Sequence, residues 1–313
     1  MSMASRLHAH IGTFRQLEIL LAVFEGGSIK AAAESLFLTQ PTVSMQLKKL
    51  SEAIGLPLYQ QVGRQLKFTD AGLATVATSR QIMQQCEALD MHLSNLRGLK
   101  SGTLRIACAT TAKYFIPHLL GPFCKRYPGI DIQFTVANRQ QVIERFEQGV
   151  DDFYVFSYVP QELDLEVIEF MSNDLVAIAN ADHPFAKRKQ VSLAEFSAEN
   201  FIIREEGSGT RYVTEQFFKA NNIKPNVRMT IASNEAIIHS VLSGMGVAIL
   251  SAHTLAFGDS YNVKVINVSS LPIQSKWSFS WAKSQQLSPI AKVFLDYVET
   301  EGKAMMTKAI RLQ

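Results

Sequence analysis

The chain is predicted to be a two-part molecule, an all-α winged helix-turn-helix head with a long linker helix, followed by an α/β body. Three observations predict it. Residues 28–55 read as two short capped helices around a tight break. Residues 70–98 form one helical run without proline, whose apolar residues Ile82, Cys86, Leu89, Leu93 and Leu96 recur at 4-3-4-3 spacing. From Thr103 onward, short β-rich runs alternate with helical ones, the pattern of a parallel α/β domain.

Bulk composition fits this division. With 313 residues, 47% hydrophobic and 19% charged, the chain can build more than one core. Its net charge of +3 lies wholly in residues 1–100, which hold ten Lys and Arg against seven Asp and Glu; the remainder balances at 21 each. That is the charge placement of a phosphate-contacting head on a near-neutral body. Cys86, Cys108 and Cys124 show no CxxC spacing and cannot all pair, which favours a reducing compartment. The N-terminus reads as lacking a signal peptide, and no run approaches the roughly 20 apolar residues of a membrane span. A cytoplasmic protein with no membrane partner is expected.

Phe14 to Glu25 predicts the first helix, with Phe14, Leu17, Leu20, Leu21 and Phe24 as its core stripe and Gly26-Gly27 as its end. Ser28 caps the second, whose Ala31, Ala32 and Ala33 permit close helix approach. After Phe37-Leu38, Thr39 caps the third, with Pro41 in its first turn. There Val43, Leu47, Leu50 and Ile54 make a buried stripe, while Pro41, Met45 and Lys48 face away, flanked by Thr42, Ser44 and Lys49. A polar and basic face on the second helix of such a pair is suited to the major groove of DNA. An ordinary helical hairpin with a solvated face has the same pattern. Two extended segments, 56–59 and 66–69, flank a turn at Gly63-Arg64 and predict a wing, with Arg64 and Lys67 available to phosphate.

The helix from Thr69 or Asp70 to about Gly98 spans roughly 40 Å, and its seam needs a partner, so a dimer is expected. A hinge at 99–102 follows. In the body, strands are predicted at 104–109, 130–137, 153–156, 201–204, 247–250 and 277–281, with two more within 167–179. Thr110-Thr111 is expected to cap a helix running to Tyr127; others open near Gln140, Gly209 and Asn234, and one closes the chain from Ser288 to about Met305. Helix starts at Thr110-Thr111, Ser208-Gly209-Thr210 and Ser233-Asn234 follow strand ends, where open α/β sheets bind ligands. Their free N–H groups and partial positive charge suit an anion. Gly207 and Gly209 allow close backbone approach, Lys113 and Arg211 offer charge, and Asn138 and Arg139 end the second strand. A plain Gly-Ser-Gly turn is the alternative.

The residues Ala-Ala-Glu-Ser-Leu (32–36) and Leu-Thr-Gln-Pro-Thr-Val-Ser (38–44) resemble the N-terminal motif of the LysR-type transcriptional regulators. The resemblance runs over nearly the whole chain. It implies a winged helix-turn-helix domain at 1–69, a dimerisation helix at 70–98 and an effector domain at 103–313 resembling a periplasmic solute-binding protein. The effector domain would comprise one subdomain of 103–166 and 268–313 and a second of 167–267. It further implies an inverted-repeat DNA partner and a homodimer or homotetramer. Gln40, Thr42, Ser44, Met45, Lys48, Lys49 and Arg64 are the expected DNA contacts. This chain has Met45 and Gln61 where the family usually carries arginine, which puts a generic contact list in doubt.

Segments 110–114, 138–140, 207–211 and 233–237, with Met45-Gln46-Leu47 and the wing residues 59–63, resemble the branch that regulates carbon-fixation (Calvin-cycle) operons. The branch responds to phosphorylated sugars, phosphoglycolate or NADPH. The expected effector residues are accordingly Thr110, Thr111, Lys113, Asn138 and Arg139 from one side, with Gly207, Ser208, Gly209, Thr210, Arg211, Ser233, Asn234 and Glu235 from the other. A related branch sensing oxyanions such as sulfite shares part of this pattern, and a ligand-independent architectural DNA-binding protein is a further alternative. No enzyme, cofactor or metal is expected: the seven histidines are scattered, Ser208 has no Gly-x-Ser-x-Gly setting, and no GxGxxG or Gly-Lys-Ser/Thr loop occurs.

Overall fold

The computed structural model describes residues 12–62, 65–96, 101–256 and 262–305. It divides into two units, 1–92 and 93–313. The expected turn at Gly63-Arg64, the first half of the hinge at 99–102, the side chain of Leu96 and the end of the closing helix after Met305 lie outside the described residues.

In the first unit, α1 (Phe14–Gly26), α2 (Ile29–Ser35) and α3 (Gln40–Ile54) each start on a side-chain cap. The Gln16 N–H donates to Thr13 Oγ1 (3.3 Å) while Thr13 N–H donates to the Gln16 side chain (2.9 Å). Ala31 N–H donates to Ser28 Oγ (3.1 Å), and Thr42 N–H to Thr39 Oγ1 (3.4 Å). Leu17, Leu20 and Val23 of α1 bury against Ala32 and Ala33 of α2 and the Val43, Leu47 and Leu50 stripe of α3. Phe14, expected in that core, is 61% exposed. It stands at the first position of α1, beyond the core, and lines an apolar groove with Ile82, Cys86 and Leu89. β1 (Tyr59–Val62) pairs antiparallel with β2 (Gln65–Phe68) as the wing. The long helix α4 (Asp70–Leu96) follows, with Gly72 N–H donating to Thr69 Oγ1 (3.0 Å).

The second unit holds a nine-stranded sheet of order β4-β3-β5-β11-β6-β9-β7-β8, with β10 also on β6. One half consists of β3 (Gly102–Ala109) between parallel β4 (Ile130–Ala137) and β5 (Phe153–Phe156). The other has β7 (Phe201–Arg204) between parallel β8 (Val227–Ile231) and β9 (Val247–Ser251), with β10 (Val263–Ile266) beyond. Two long antiparallel strands, β6 (Leu165–Asn180) and β11 (Ile273–Ala282), pass from one half to the other. β6 pairs with β11 along its first part and with β9 at Leu175–Ile178; β11 pairs with β5 near its end. The halves are called lobes below.

Helices α5 (Ile116–Arg126), α6 (Arg139–Glu147) and α11 (Pro289–Tyr297) accompany the first lobe; α7 (Leu193–Ala198), α8 (Gly209–Ala220), α9 (Asn234–Leu242) and α10 (Ala252–Ala256) accompany the second. Phe153, Phe279 and Phe294 stack edge-on in the first core, Phe196, Phe201 and Phe218 in the second.

Two further expectations are corrected. Residues 167–179 form one strand rather than two, because β6 changes partners along its length without a turn. Thr110-Thr111 does not cap a helix to Tyr127: residues Thr110–Tyr114 form a 3₁₀ turn, and α5 begins separately at Ile116. The Thr110 hydroxyl instead donates to the carbonyl of Ala137 (3.1 Å), tying the ends of β3 and β4. β8, α7 and β10 were not anticipated. Among the described residues, no helix is long and apolar enough to cross a membrane.

Candidate functional sites

The first site is the outer face of α3. Val43, Leu47 and Leu50 hold the helix against the core, which leaves Gln40, Ser44, Met45, Lys48 and Lys49 exposed and Thr42 half-buried. Lys48 is loosely paired with Glu52 (3.9 Å), and both side chains remain in solvent. The Thr42 hydroxyl lies 2.8 Å from that of Thr39, so it shares in the cap. Gln46, not singled out from sequence, accepts from Gln16 Nε2 (3.1 Å) and so fixes α3 to the start of α1. On the wing, Gln61 and Lys67 are exposed; Arg64 lies outside the described residues.

The second site is a narrow polar crevice between the lobes of the body, where strands β3, β4, β5 and β7 end. From the first lobe Thr110, Thr111, Asn138 and Arg139 line it; from the second come Ser208, Gly209 and Thr210. Ala109, Ser157, Arg204 and Trp277 line it as well and were missed from sequence. Asn138 caps α6 by accepting from Gln141 N–H (2.9 Å). Ser208 stands at the start of α8 without a side-chain capping bond, unlike Ser233, which accepts from Ala236 N–H (3.2 Å).

Arg204 is the buried charge of this site, 2% exposed at the end of β7. Its Nε and Nη2 fork onto Glu205 (2.7 and 2.9 Å), and Nη1 donates to Asn234 Oδ1. Asn234 Nδ2 in turn donates to Thr111 Oγ1 across the lobes (3.2 Å). Further ties join the lobes. The Gln140 N–H donates to the Gly207 carbonyl (3.0 Å), and the Arg139 guanidinium lies 4.7 Å over the Tyr212 ring. Lys113 Nζ and Tyr114 OH both reach Glu235 Oε1 (2.8 and 2.7 Å). Partial burial works to raise the Glu235 pKa, but donors from Lys113, Tyr114, its own backbone and Ser233 prevail and hold it down at about 2.

The remaining expected residues therefore border the crevice with partners already in place. Lys113 and Glu235 neutralise each other. Arg211 donates from Nε to Glu215 (2.7 Å), with Glu206 3.6 Å away, and does not line the crevice. Gly207 packs against Asn138 and Gln140. The nearby Cys108 thiol is pushed up to about 12 by burial, against a smaller opposing effect of Lys113, as expected of an inert structural thiol.

A winged helix-turn-helix with a bare polar helix face, and a two-lobed body with a polar crevice, define a ligand-responsive DNA-binding regulator. Residues 14–73 match the bacterial regulatory helix-turn-helix family of LysR type, and residues 97–303 match the LysR substrate binding domain. The chain belongs to the LysR family of transcriptional regulators. It is 45% identical over 294 residues to the transcriptional activator CmpR of Synechocystis sp., covering 94% of this chain and 97% of CmpR. It is 36% identical over 287 residues to a RuBisCO operon transcriptional regulator of Acidithiobacillus ferrooxidans, covering 91% and 93%. Its relatives thus lie in the carbon-fixation branch. Among solved structures, the CcmR regulatory domain of Synechocystis in complex with 2-PG superposes with a TM-score of 0.61 at 40% identity, covering 63% of this chain and 96% of that one. Full-length CbnR complexed with its target DNA superposes with a TM-score of 0.64 at 22% identity, covering 92% and 99%, a likeness of fold.

Proposed function

We propose that two or four copies of this chain bind an inverted-repeat DNA site through α3 and the wing, and that a small anionic metabolite in the body crevice alters how the heads are presented. Thr42, Ser44, Met45 and Lys48 face base edges or nearby phosphates, while Gln40, Lys49 and Arg64 contact the backbone. The bare polar face of α3 supports this assignment. The DNA target places the protein in the cytoplasm, where it regulates without catalysing a reaction.

The observation that carries the effector reading is the crevice. It brings two guanidinium groups, five hydroxyls and the start of α8 together at strand ends. Arg204 is balanced by Glu205, so the modest positive excess suited to an anion comes from Arg139. The crevice has a cavity volume of only about 10 Å³, room for about one water. An organic anion therefore enters only as the lobes part, and a small one such as phosphoglycolate requires less opening than NADPH. The 2-PG complex of the CcmR regulatory domain supports the same class.

The dimer rests on α4, where Leu89 is 59% and Leu93 44% exposed beside the Phe14 groove, an apolar seam that a second copy covers. A thermal-shift series with 2-phosphoglycolate, a sugar phosphate and sulfite tests the effector reading. At least one organic phosphate raises the melting temperature in a concentration-dependent way. Stabilisation by sulfite alone reassigns the chain to oxyanion sensing, and no stabilisation by any of them removes the effector.

A further inference from the structure

Among the residues lining the crevice, Trp277 alone has a fully buried side-chain polar atom without a partner. Its side chain is 1% exposed, it lines the crevice, and its indole Nε1–H meets no acceptor. Folded chains rarely leave a buried donor unmet. Among the described residues only two other buried side-chain polar atoms are unpaired, the hydroxyls of Thr254 and Ser280, and neither residue lines the crevice.

The ladder is irregular beside the indole. Trp277 pairs with Met171 and Ser278 with Glu169, so the β6–β11 ladder slips by one residue between them, leaving Phe170 out of the pairing. Such bulges re-aim a side chain and recur beside binding sites. This one lies on a strand that passes between the lobes, with the indole packed edge-on against Phe115 at 5.1 Å. The apolar packing fixes the ring and provides its N–H with no acceptor.

We infer that the Trp277 indole N–H is a ligand-binding donor, receiving an oxygen of the anionic effector and selecting for an acceptor atom at that point. The inference rests on the effector reading above. Its chemical content is a constraint on the ligand. Ser157, Ser208, Thr110 and Thr111 carry hydroxyls that donate or accept, but an indole only donates. The effector must therefore present a carboxylate, phosphoryl or other oxygen lone pair to Trp277, and a donor-only group such as an ammonium is refused there.

The test uses the full chain, with calorimetric titration of 2-phosphoglycolate, a sugar phosphate and sulfite. Trp277→Phe keeps an aromatic ring and removes the donor. The anion that binds the wild type should bind this variant about tenfold or more weakly, since hydrogen bonds to charged groups carry at least that factor. A second measurement leaves Trp277 itself in place. In a Trp281→Phe background, where Trp277 is the sole indole of the two in the chain, the ultraviolet resonance Raman band that reports indole N–H hydrogen bonding should shift at saturating ligand. A purely structural tryptophan would leave that band unmoved. Undiminished affinity in Trp277→Phe, or an unmoved band with ligand bound, overturns this inference while leaving the effector site intact. If no probe binds the wild type, the effector reading falls and this inference falls with it.

Discussion

The contact between Gly207 and α6 makes a quantitative prediction about how the crevice is held together. Gly207 has a φ of +80°, and a Cβ added there would stand 3.0 Å from Gln140 Cβ and 3.4 Å from Asn138 Nδ2. Gly244 supplies a control: its φ is +73°, and a Cβ there meets nothing within 4 Å. Gly244→Ala therefore isolates the cost of the left-handed conformation, about 1–2 kcal/mol. Gly207→Ala carries that cost as well. In addition it pushes α6 away, weakening the bond from Gln140 N–H to the Gly207 carbonyl, which contributes about 0.5–1.5 kcal/mol. The total is about 1.5–3.5 kcal/mol. The displaced atoms are the base of a helix residue rather than the end of a flexible side chain, so relief requires the lobes to shift. Urea unfolding of the two variants measures the stability difference through their midpoints, and calorimetry measures the effector dissociation constant. Gly207→Ala should be the less stable and should bind the effector several-fold more weakly, while Gly244→Ala binds as the wild type does. Equal stability losses and equal affinities would refute the claim that this contact sets the spacing of the lobes.

Three further outcomes follow from the same geometry. Lys48→Ala should weaken operator binding and lower the slope of log affinity against log salt by about 0.9, the loss of one phosphate contact; unchanged affinity and slope in anisotropy titrations remove Lys48 from the interface. Glu235 is held at about 2, below its ordinary 4.5, so its ties to Lys113 and Tyr114 stabilise the body above about pH 4.5, and that contribution is lost as pH falls towards 2. For this partly exposed group the difference between wild type and Glu235→Gln should be no more than about 1 kcal/mol near pH 6, shrinking as the medium is acidified; a difference that grows with acid reverses the sign of the argument. Leu89→Asp should weaken self-association at least about a hundredfold, the consequence of losing one buried leucine from each of two copies at about 1.5–3 kcal/mol each; sedimentation equilibrium showing an unaltered oligomer would take α4 out of the interface.

The head was legible because its rules are local. Ser28 and Thr39 cap where capping residues should, and Val43, Leu47 and Leu50 face inward at helical spacing. Phe14 shared the same periodicity yet stands outside the core, because periodicity does not tell which end of a helix the core reaches. In the body, strands buried on both faces, such as Phe153–Phe156, were readable as short apolar runs. The crossover strand β6 was not, since Met171-Ser172-Asn173-Asp174 looks like a break when partners are unknown. In the structure Asn173 is buried, its side chain bonded to Ser275 Oγ (2.9 Å) and Ser251 Oγ (2.6 Å). Neighbours 102 and 78 residues away do not register in local pattern. The same holds for the crevice. The residues at helix starts were found by their turn chemistry, but Arg204 sits in the apolar run Phe-Ile-Ile-Arg, and Trp277 belongs to a strand that would bury an indole in any case. Their roles arise from what the fold sets beside them.

The most direct measurement of the coupling between head and body is a footprint of the full-length chain. The duplex should carry an inverted repeat selected by the chain from random DNA, and protection should be mapped with and without a saturating organic phosphate that the body binds. The account predicts salt-sensitive protection of both half-sites and a change in the extent or spacing of protection when the anion is added. Identical footprints with the anion demonstrably bound, or no protection of any duplex at moderate salt, would contradict it.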